Sequence, residues 1–384
     1  MAVRAPTTRV PAAVSPAPSP PPASRRDAVL LAGLMLVHHF ALWAWTAHRR
    51  GFTLSQVLDR WDSALYSEII TRGYSGALRA FLPLYPGTVW LTSGGAALPP
   101  QWVGTLLSTL LLLAFVFLAS APGATPPLGA RTRWGWFVFL FSPASFALHS
   151  HHTEGLFLLL SFAALRCAWT GRALPAALFA ALTLLTRNQG LFVALACVLL
   201  LLEGAEPWRV RLTRAGWVAG GTLAALAGLL LFQWRTSGDP LAHLHAQASW
   251  NHVDSLAGML RGLWFDNPWH QGRPRVWWLA LRNVFAQLLL GGCVGLWRRG
   301  DAVRGARPLA IYGLVSLLVM LPQGDLGNAF RFGAVLFPVL FWLGDRLGAA
   351  LAPRPLWVRV LAVLPLLWLN HKVTHAFAIG GWAY

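Results

Sequence analysis

The sequence predicts an all-α integral membrane protein, a polytopic helical bundle, and three observations carry that reading. Of 384 residues, 56% are hydrophobic and 11% charged, with a mean hydropathy of +0.53, too much apolar surface for one soluble core to hide. The apolar residues fall into about eleven runs of membrane-spanning or near-spanning length. The basic residues, 31 against 13 acidic, sit in short clusters between those runs, as orienting charge does. That distribution sets nucleic acid aside as the partner of the net charge of +18 and leaves membrane lipid.

Residues 1–24 form a Pro, Ala and Ser tail without hydrophobic periodicity, expected to be disordered, and 25–384 form one polytopic domain. Arg25 and Arg26 precede the run 28–47, the first span; no small-residue cleavage site follows it. Further spans are expected at 101–121, 134–149, 154–170, 174–186, 190–202, 215–234, 276–297, 308–322, 332–349 and 356–370. The short runs 174–186 and 190–202 have an alternative, one long helix kinked near Asn188 to Gly190, which would reverse the parity of everything after them.

Charge separates the two. With the N-terminus inside and both short runs counted, every inside connector is basic, from Arg131 and Arg133 through Arg172, Arg209 to Arg214 and Arg298 to Arg307 to Arg354 and Arg359. The same assignment places Asp59, Asp62, Glu68, Glu154, Asp239, Asp254, Asp266 and Asp325 outside, with every histidine but His38 and His39. A catalytic or binding surface is therefore expected on the extracytoplasmic side.

Five polar stretches interrupt the apolar pattern. The first outer loop, about 48–100, alternates apolar and polar residues without reaching span length. It predicts short interfacial helices anchored by Trp61, Tyr66, Tyr74, Phe81 and Tyr85. Asp62 and Glu68 there are six residues apart, about 120° on a helix, so they need not act together. A WD pair can also serve only as anchor and cap. In FSPASFALHSHHTEGLF, Glu154 opens a helix, where the macrodipole alone would favour it. His149, His151 and His152 could bind a metal but lack the i, i+4 spacing of helical zinc motifs. In LLTRNQGLF, Arg187 stands between two apolar runs, where an arginine must meet water, a carboxylate or a phosphate, or snorkel to headgroups. The large outer loop 235–275 offers Gln247 and Trp250 to a sugar ring, or simply caps the bundle. Arg331, in QGDLGNAFRFGAVLFP, can meet phosphate oxygens bidentately or snorkel like Arg187. The three cysteines lie in apolar runs with no ligand spacing and read as small buried hydrophobes.

Taken in order, RWDSALYSEIITRGY with AFLPLYP, FSPASFALHSHHTEGLF, LLTRNQGLF, SGDPLAHLHAQASW and GNAFRFGAVLFP resemble the PIG-V family of mannosyltransferases, and more closely its bacterial relatives, over about residues 55–345. The resemblance implies a GT-C glycosyltransferase in a bacterial plasma membrane. It would use a polyprenyl-phosphate sugar, usually mannose, as donor, with an outward-facing site and a glycolipid, polysaccharide or protein acceptor. Carried over by position, Asp62 is the catalytic carboxylate, Glu154 the acid opening the next hairpin and Arg187 the arginine of a TR-N-G-like element. The sequence departs from the family at Asn188-Gln189, where Ser-Asn is common, and in its histidine-rich hairpin, where a tyrosine often precedes the acid. Both departures bear on substrate more than on reaction.

The residue types suit that chemistry. A lipid phosphate leaves without a general acid, so Arg187 and Arg331 could cover its charge while Asp62 takes the acceptor's proton in an inverting displacement. Glu154 would act at the reacting centre as a sugar or acceptor ligand, and Trp61, Glu68, Asn188, Gln247 and Trp250 would complete the substrate site. No cofactor is assigned, and a divalent cation stays open. The absence of a glycine-rich phosphate loop argues against a nucleotide-sugar enzyme. The alternatives are a lipid or solute transporter, against which stands the lack of an internal repeat, and a non-catalytic subunit of a glycosylation complex.

Overall fold

A computed structural model describes residues 23–121, 128–247, 257, 275–318, 320, 326 and 328–381. Trp250, Asp254, Asp266 and Asp325 lie outside the described residues, as do residues 1–22 of the tail. Ala23 and Ser24, expected to be disordered, are ordered. The Ala23 amide donates to Arg131 O at 2.8 Å, and Ser24 caps the first helix, its Oγ accepting from Asp27 N at 3.1 Å while Asp27 Oδ2 accepts from Ser24 N at 3.0 Å.

All described regular structure is helical. Helix α1 (Arg25–Arg50) ends at Gly51, whose φ of +68° suits a residue without Cβ. The first outer loop folds into α2 (Leu54–Leu58), α3 (Asp62–Arg72), a 3₁₀ turn at Gly76–Ala80 and α4 (Leu84–Thr92). None is long enough to cross a bilayer. They pack through Tyr66, Ile69, Ile70, Leu78, Tyr85 and Val89 onto Leu156 and Leu160.

Helices α5 (Pro100–Ala119), α6 (Arg133–Leu140), α7 (Glu154–Trp169), α8 (Ala173–Thr186), α9 (Gly190–Leu202) and α10 (Trp208–Ser237) follow, then the short α11 (Ala242–Gln247). The chain closes with α12 (Arg275–Arg298), α13 (Ala306–Leu318), α14 (Ala329–Ala334), α15 (Phe337–Leu351) and α16 (Leu356–Ala378). Packing runs from α1 through α5, α7, α8, α9, α13, α12, α15 and α6 back to α1, with α10 outside α8 and α9 and α16 outside α1. Phe115, Trp136, Phe139, Phe162, Phe337 and Phe341 fill the centre.

Among the described residues, five helices are long and apolar enough to cross a membrane: Arg25–Arg50, Pro100–Ala119, Trp208–Ser237, Ala280–Arg298 and Leu356–Ala378. Ala173–Thr186, Gly190–Leu202 and Ala306–Leu318 are shorter apolar helices. Leu106, Leu110 and Phe117 on α5, Leu223 and Leu231 on α10, and Leu361 and Trp368 on α16 are all exposed, an apolar outer surface suited to lipid. On α10 the exposed Trp208 and Trp234 stand about 39 Å apart along the axis, close to the full thickness of a bilayer with its headgroups.

Several expected boundaries need correction. The run 134–149 is helical only to Leu140, since Pro143 disfavours helix in the residue before it, and 141–153 form a compact turn. The run 332–349 is broken at Val335 and Leu336, and Pro338 in the first turn of α15 restarts it. Helix α16 continues past residue 370, so His371 and His375, read as lying outside, are on the helix. Of the two alternatives for 174–202, the described one is a hairpin of two helices: Arg187 is extended (φ −152°, ψ 147°) between them.

Gly190 permits that hairpin. A Cβ there would meet Leu184 N at 2.2 Å and Thr183 C at 2.3 Å, backbone that cannot move aside. Gly190→Ala is expected to lower stability by about 1–3 kcal/mol or more. Gly220→Ala on α10, with nothing within 4 Å of the added carbon, should be neutral or stabilising by about 0.5–1 kcal/mol. Thermal unfolding of the two variants in detergent checks this, and equal midpoints would refute the close approach.

The two ends of the bundle differ in charge. At one, Asp345 accepts from the Arg131 and Thr132 amides at 2.9 and 2.8 Å, Glu203 accepts from Gly305 N at 2.8 Å, and Arg214 pairs with Glu206. This end gathers the arginine-rich connectors. The opposite end gathers the first outer loop, the 141–153 turn, the α8–α9 turn and α11: Ser63 Oγ donates to His151 O at 3.0 Å, and Arg79 donates to Thr236 O at 2.8 Å.

Candidate functional site

At the end opposite the arginine-rich connectors, four segments remote in sequence bring one charged side chain each to a common point. Asp62 is the first residue of α3, Glu154 the first of α7, Arg187 sits in the α8–α9 turn and Arg331 lies on α14. Arg331 Nη1 donates to Asp62 Oδ2, and Arg331 Nε and Arg187 Nη1 both donate to Glu154 Oε1. Glu154 Oε2 accepts from Thr153 Oγ1 at 3.3 Å and from Arg331 Nη2 at 3.4 Å. Arg187 is held further by Thr153 Oγ1 at 2.9 Å, by Gln189 Oε1 at 3.3 Å and by the face of Phe332, 5.1 Å away.

The charges alternate, acid, arginine, acid, arginine, and sum to zero, which is how ionised groups are retained away from water. Burial is graded along the chain of charges. Glu154 is 0% exposed, Arg331 6%, Arg187 9% and Asp62 21%. Glu154 has both oxygens occupied and acts as the anchor that orients two guanidinium groups. Asp62 forms the open end, and its Oδ1 has no hydrogen-bond partner among the described residues.

The backbone at Asp62 is unusual. Trp61, immediately before it, has φ 52° and ψ −127°, a conformation that a bulky residue adopts only when its surroundings impose it. Trp61 Nε1 donates to Gly381 O at 2.9 Å, so the last turn of the chain helps hold the kink that aims α3. Glu154 is placed by an equally tight fit, because a Cβ on Gly155 would lie 2.6 Å from Leu148 O.

The other candidates separate into near and far. Glu68 faces away, 3.7 Å from Arg72 in an exposed pair. Asn188 Oδ1 lies 3.1 Å from His243 Nε2, and Gln247 Nε2 donates to Ala80 O at 3.2 Å, so both fasten α11 over the outer end rather than reach the charges. Of the three acids of the first outer loop, Asp59 accepts from Ser67 Oγ at 2.6 Å, which leaves Asp62 as the one in the cluster.

The histidines of the 141–153 turn point in different directions. His149 Nε2 lies 2.8 Å from His39 Nδ1, His151 Nδ1 lies 2.9 Å from the Tyr85 hydroxyl, and His152 Nδ1 lies 2.8 Å from Ser150 Oγ. Among the described residues no three His, Cys, Asp or Glu side chains gather as a metal-binding set. What the cluster could offer a cation is one carboxylate oxygen, Asp62 Oδ1.

Burial pushes His151 down to about 3 and His152 well below its usual range, so both are neutral in the fold. The unfolded chain takes up protons on both near pH 6.5 while the folded chain does not. Stability is therefore intact above about pH 6.5 and declines as pH falls below it, by up to about 1.4 kcal/mol per pH unit for each group. A falling unfolding midpoint between pH 7 and 5 is expected, and a flat profile would mean that the turn is open to water.

Sequence reasoning missed Tyr66, Thr153 and Gln189 as site residues. Tyr66 is one turn beyond Asp62 on α3, close enough to feel all four charges, and burial holds its phenol far above its ordinary range, so it can donate a proton in a hydrogen bond. The i, i+4 spacing from Asp62 was the available signal. Gln189 Nε2 is buried beside Arg187 without a hydrogen-bond partner among the described residues, a donor able to meet a bound polar group. No family model, curated protein or solved structure matches the chain.

Proposed function

We propose that this chain is a membrane glycosyltransferase of the GT-C kind, crossing a bacterial plasma membrane about eleven times. It moves mannose or a related hexose from a polyprenyl-phosphate sugar to an envelope acceptor on the extracytoplasmic face. The observation that carries the reading is the convergence of Asp62, Glu154, Arg187 and Arg331. Each comes from a different one of the stretches that resemble PIG-V mannosyltransferases, and they meet at the end opposite the arginine-rich connectors. Residues of unrelated segments that each cost free energy to bury are brought together where substrate chemistry needs them.

In this reading Asp62 Oδ1 takes the proton of the acceptor hydroxyl as that oxygen bonds to the anomeric carbon, and the bond from that carbon to the lipid phosphate breaks. The electron pair leaves with the phosphate, and the anomeric centre inverts. Arg331 and Arg187 supply the positive charge near the departing oxygens, with Glu154 fixing the orientation of both. Gln189 Nε2 and the Tyr66 hydroxyl are placed to donate to sugar or phosphate oxygens.

The test is transfer of label from polyprenyl-phosphate [³H]mannose in membranes carrying the chain, followed into lipid, polymer and protein fractions. Label retained in one fraction identifies the acceptor. Arg187→Gln is expected to lower transfer by about 10²–10³-fold, the scale for removing one donor to a developing anion. No transfer from mannose or any other polyprenyl-linked hexose would overturn the proposal.

A further inference from the structure

The outer ends of α1 and α16 carry positive charge that nothing described so far uses. His48, Arg49 and Arg50 form the last turn of α1 and are exposed. Lys372, the single lysine of the chain, is exposed on α16, which packs against α1. Between the helices run imidazoles. The His38 and His371 ring centroids are 5.4 Å apart, and the rings of His371 and His375 stack at 6.4 Å with 3° between their planes. Trp45 borders them, 6.1 Å from His375. Lys372 and Arg50 are both close enough to His375 to act on its charge.

Three features make the patch unusual. It lies at the end opposite the arginine-rich connectors, where cations are disfavoured by the rule that orients membrane proteins. It also lacks counter-ions: among the described residues none of these side chains is in an ion pair, α16 contains no acid, and the one acid on α1, Asp27, is at its other end. The groups are also deep. His38 and His371 stand about 20 and 22 Å along their helices from the arginine-rich end, so the strip descends from the interface into the outer third of a bilayer of about 30 Å. Polar groups on a lipid-facing surface at that depth are expensive unless something polar meets them.

We infer that the outer α1–α16 strip binds the phosphate headgroup of an anionic phospholipid of the surrounding bilayer. Arg50 and Lys372 meet the phosphate, while the imidazoles hydrogen-bond to its oxygens and to the ester groups below. The exposed Val37 and Trp368 flank the strip and suit acyl chains. The site is separate from the Asp62 cluster but mechanically adjacent to it, because Gly381, three residues beyond α16, accepts through its O from Trp61 Nε1. It depends on the membrane location alone and stands whether or not the chain transfers a sugar.

The experiment is native mass spectrometry of the full chain purified in neutral detergent, after incubation with phosphatidylglycerol, with phosphatidylcholine of the same acyl chains, or with polyprenyl phosphate. Phosphatidylglycerol should be retained in preference to phosphatidylcholine. Lys372→Gln and Arg50→Gln should each lower its retention about fivefold and together about 25-fold. Arg235→Gln, which removes an arginine near the same end of α10, should leave retention unchanged. Equal retention of the two phospholipids by the wild-type chain, an unaltered double variant, or retention of polyprenyl phosphate alone would each overturn the inference.

Discussion

Glu154→Gln is expected to destabilise the folded chain by about 3–5 kcal/mol, the usual consequence of removing one partner from a buried charge network. The amide keeps the shape of the carboxylate but turns an acceptor of three arginine hydrogen bonds into a group that presents its own N–H to two guanidinium groups. It also leaves Arg187 and Arg331 with Asp62 as the only counter-charge in the cluster. The burial gradient sharpens the expectation. Glu154 has no exposed surface, so water cannot enter to replace what is lost.

A double variant separates this from a mere packing defect. Arg187→Gln alone should also destabilise, yet Glu154→Gln with Arg187→Gln restores neutrality and should recover part of the loss, a coupling of about 0.5–3 kcal/mol. Glu206→Gln, which breaks an exposed pair with Arg214, should have no measurable effect. Unfolding midpoints of these four variants in one detergent make the comparison. Additive losses from the Glu154 and Arg187 substitutions would mean that the two charges are not coupled.

The members of this cluster were legible in the sequence one by one. An arginine between two apolar runs is costly unless it has a purpose, and that marks out Arg187; Arg331 stands out for its fit to phosphate oxygens, Glu154 as the acid that opens a helix, and Asp62 through the WD element of the resemblance. Their partnership was not legible, since the bonds that join them span 33, 177 and 269 residues and no local pattern encodes a contact of that range. The helical class and the arginine distribution followed from composition, but helix ends did not. Apolar residues continue past Leu140 into a turn and across Val335 and Leu336, so hydropathy saw one run where Pro143 and Pro338 mark a break. The histidines of the 141–153 turn, close in sequence but without the spacing of helical zinc motifs, gave no hint of their real partners. Their rings are directed to His39, Tyr85 and Ser150, and a long-range fit of that kind leaves no trace in spacing.

Asp62→Asn is expected to reduce sugar transfer by at least about 10²-fold while leaving the chain folded. The asparagine can still accept from Arg331 through its amide oxygen, and at 21% exposure the position has water to compensate the lost charge, which Glu154 does not. Asp62→Glu tests placement. It keeps the base but moves its oxygens about one bond away from a point fixed by the strained Trp61 backbone, so it should recover only part of the rate. Asp59→Asn is the control, because that carboxylate is engaged with Ser67 on the far side of the loop, and it should transfer sugar at nearly the wild-type rate. The reading of Asp62 as base requires that order: wild type and Asp59→Asn together, Asp62→Glu below them, Asp62→Asn lowest, all at equal protein level and equal unfolding midpoint. Full transfer by Asp62→Asn would reduce Asp62 to a partner that holds Arg331 in place, and the proton would then have to leave by another group on the outer face, with Tyr66, buried and protonated, unable to take it.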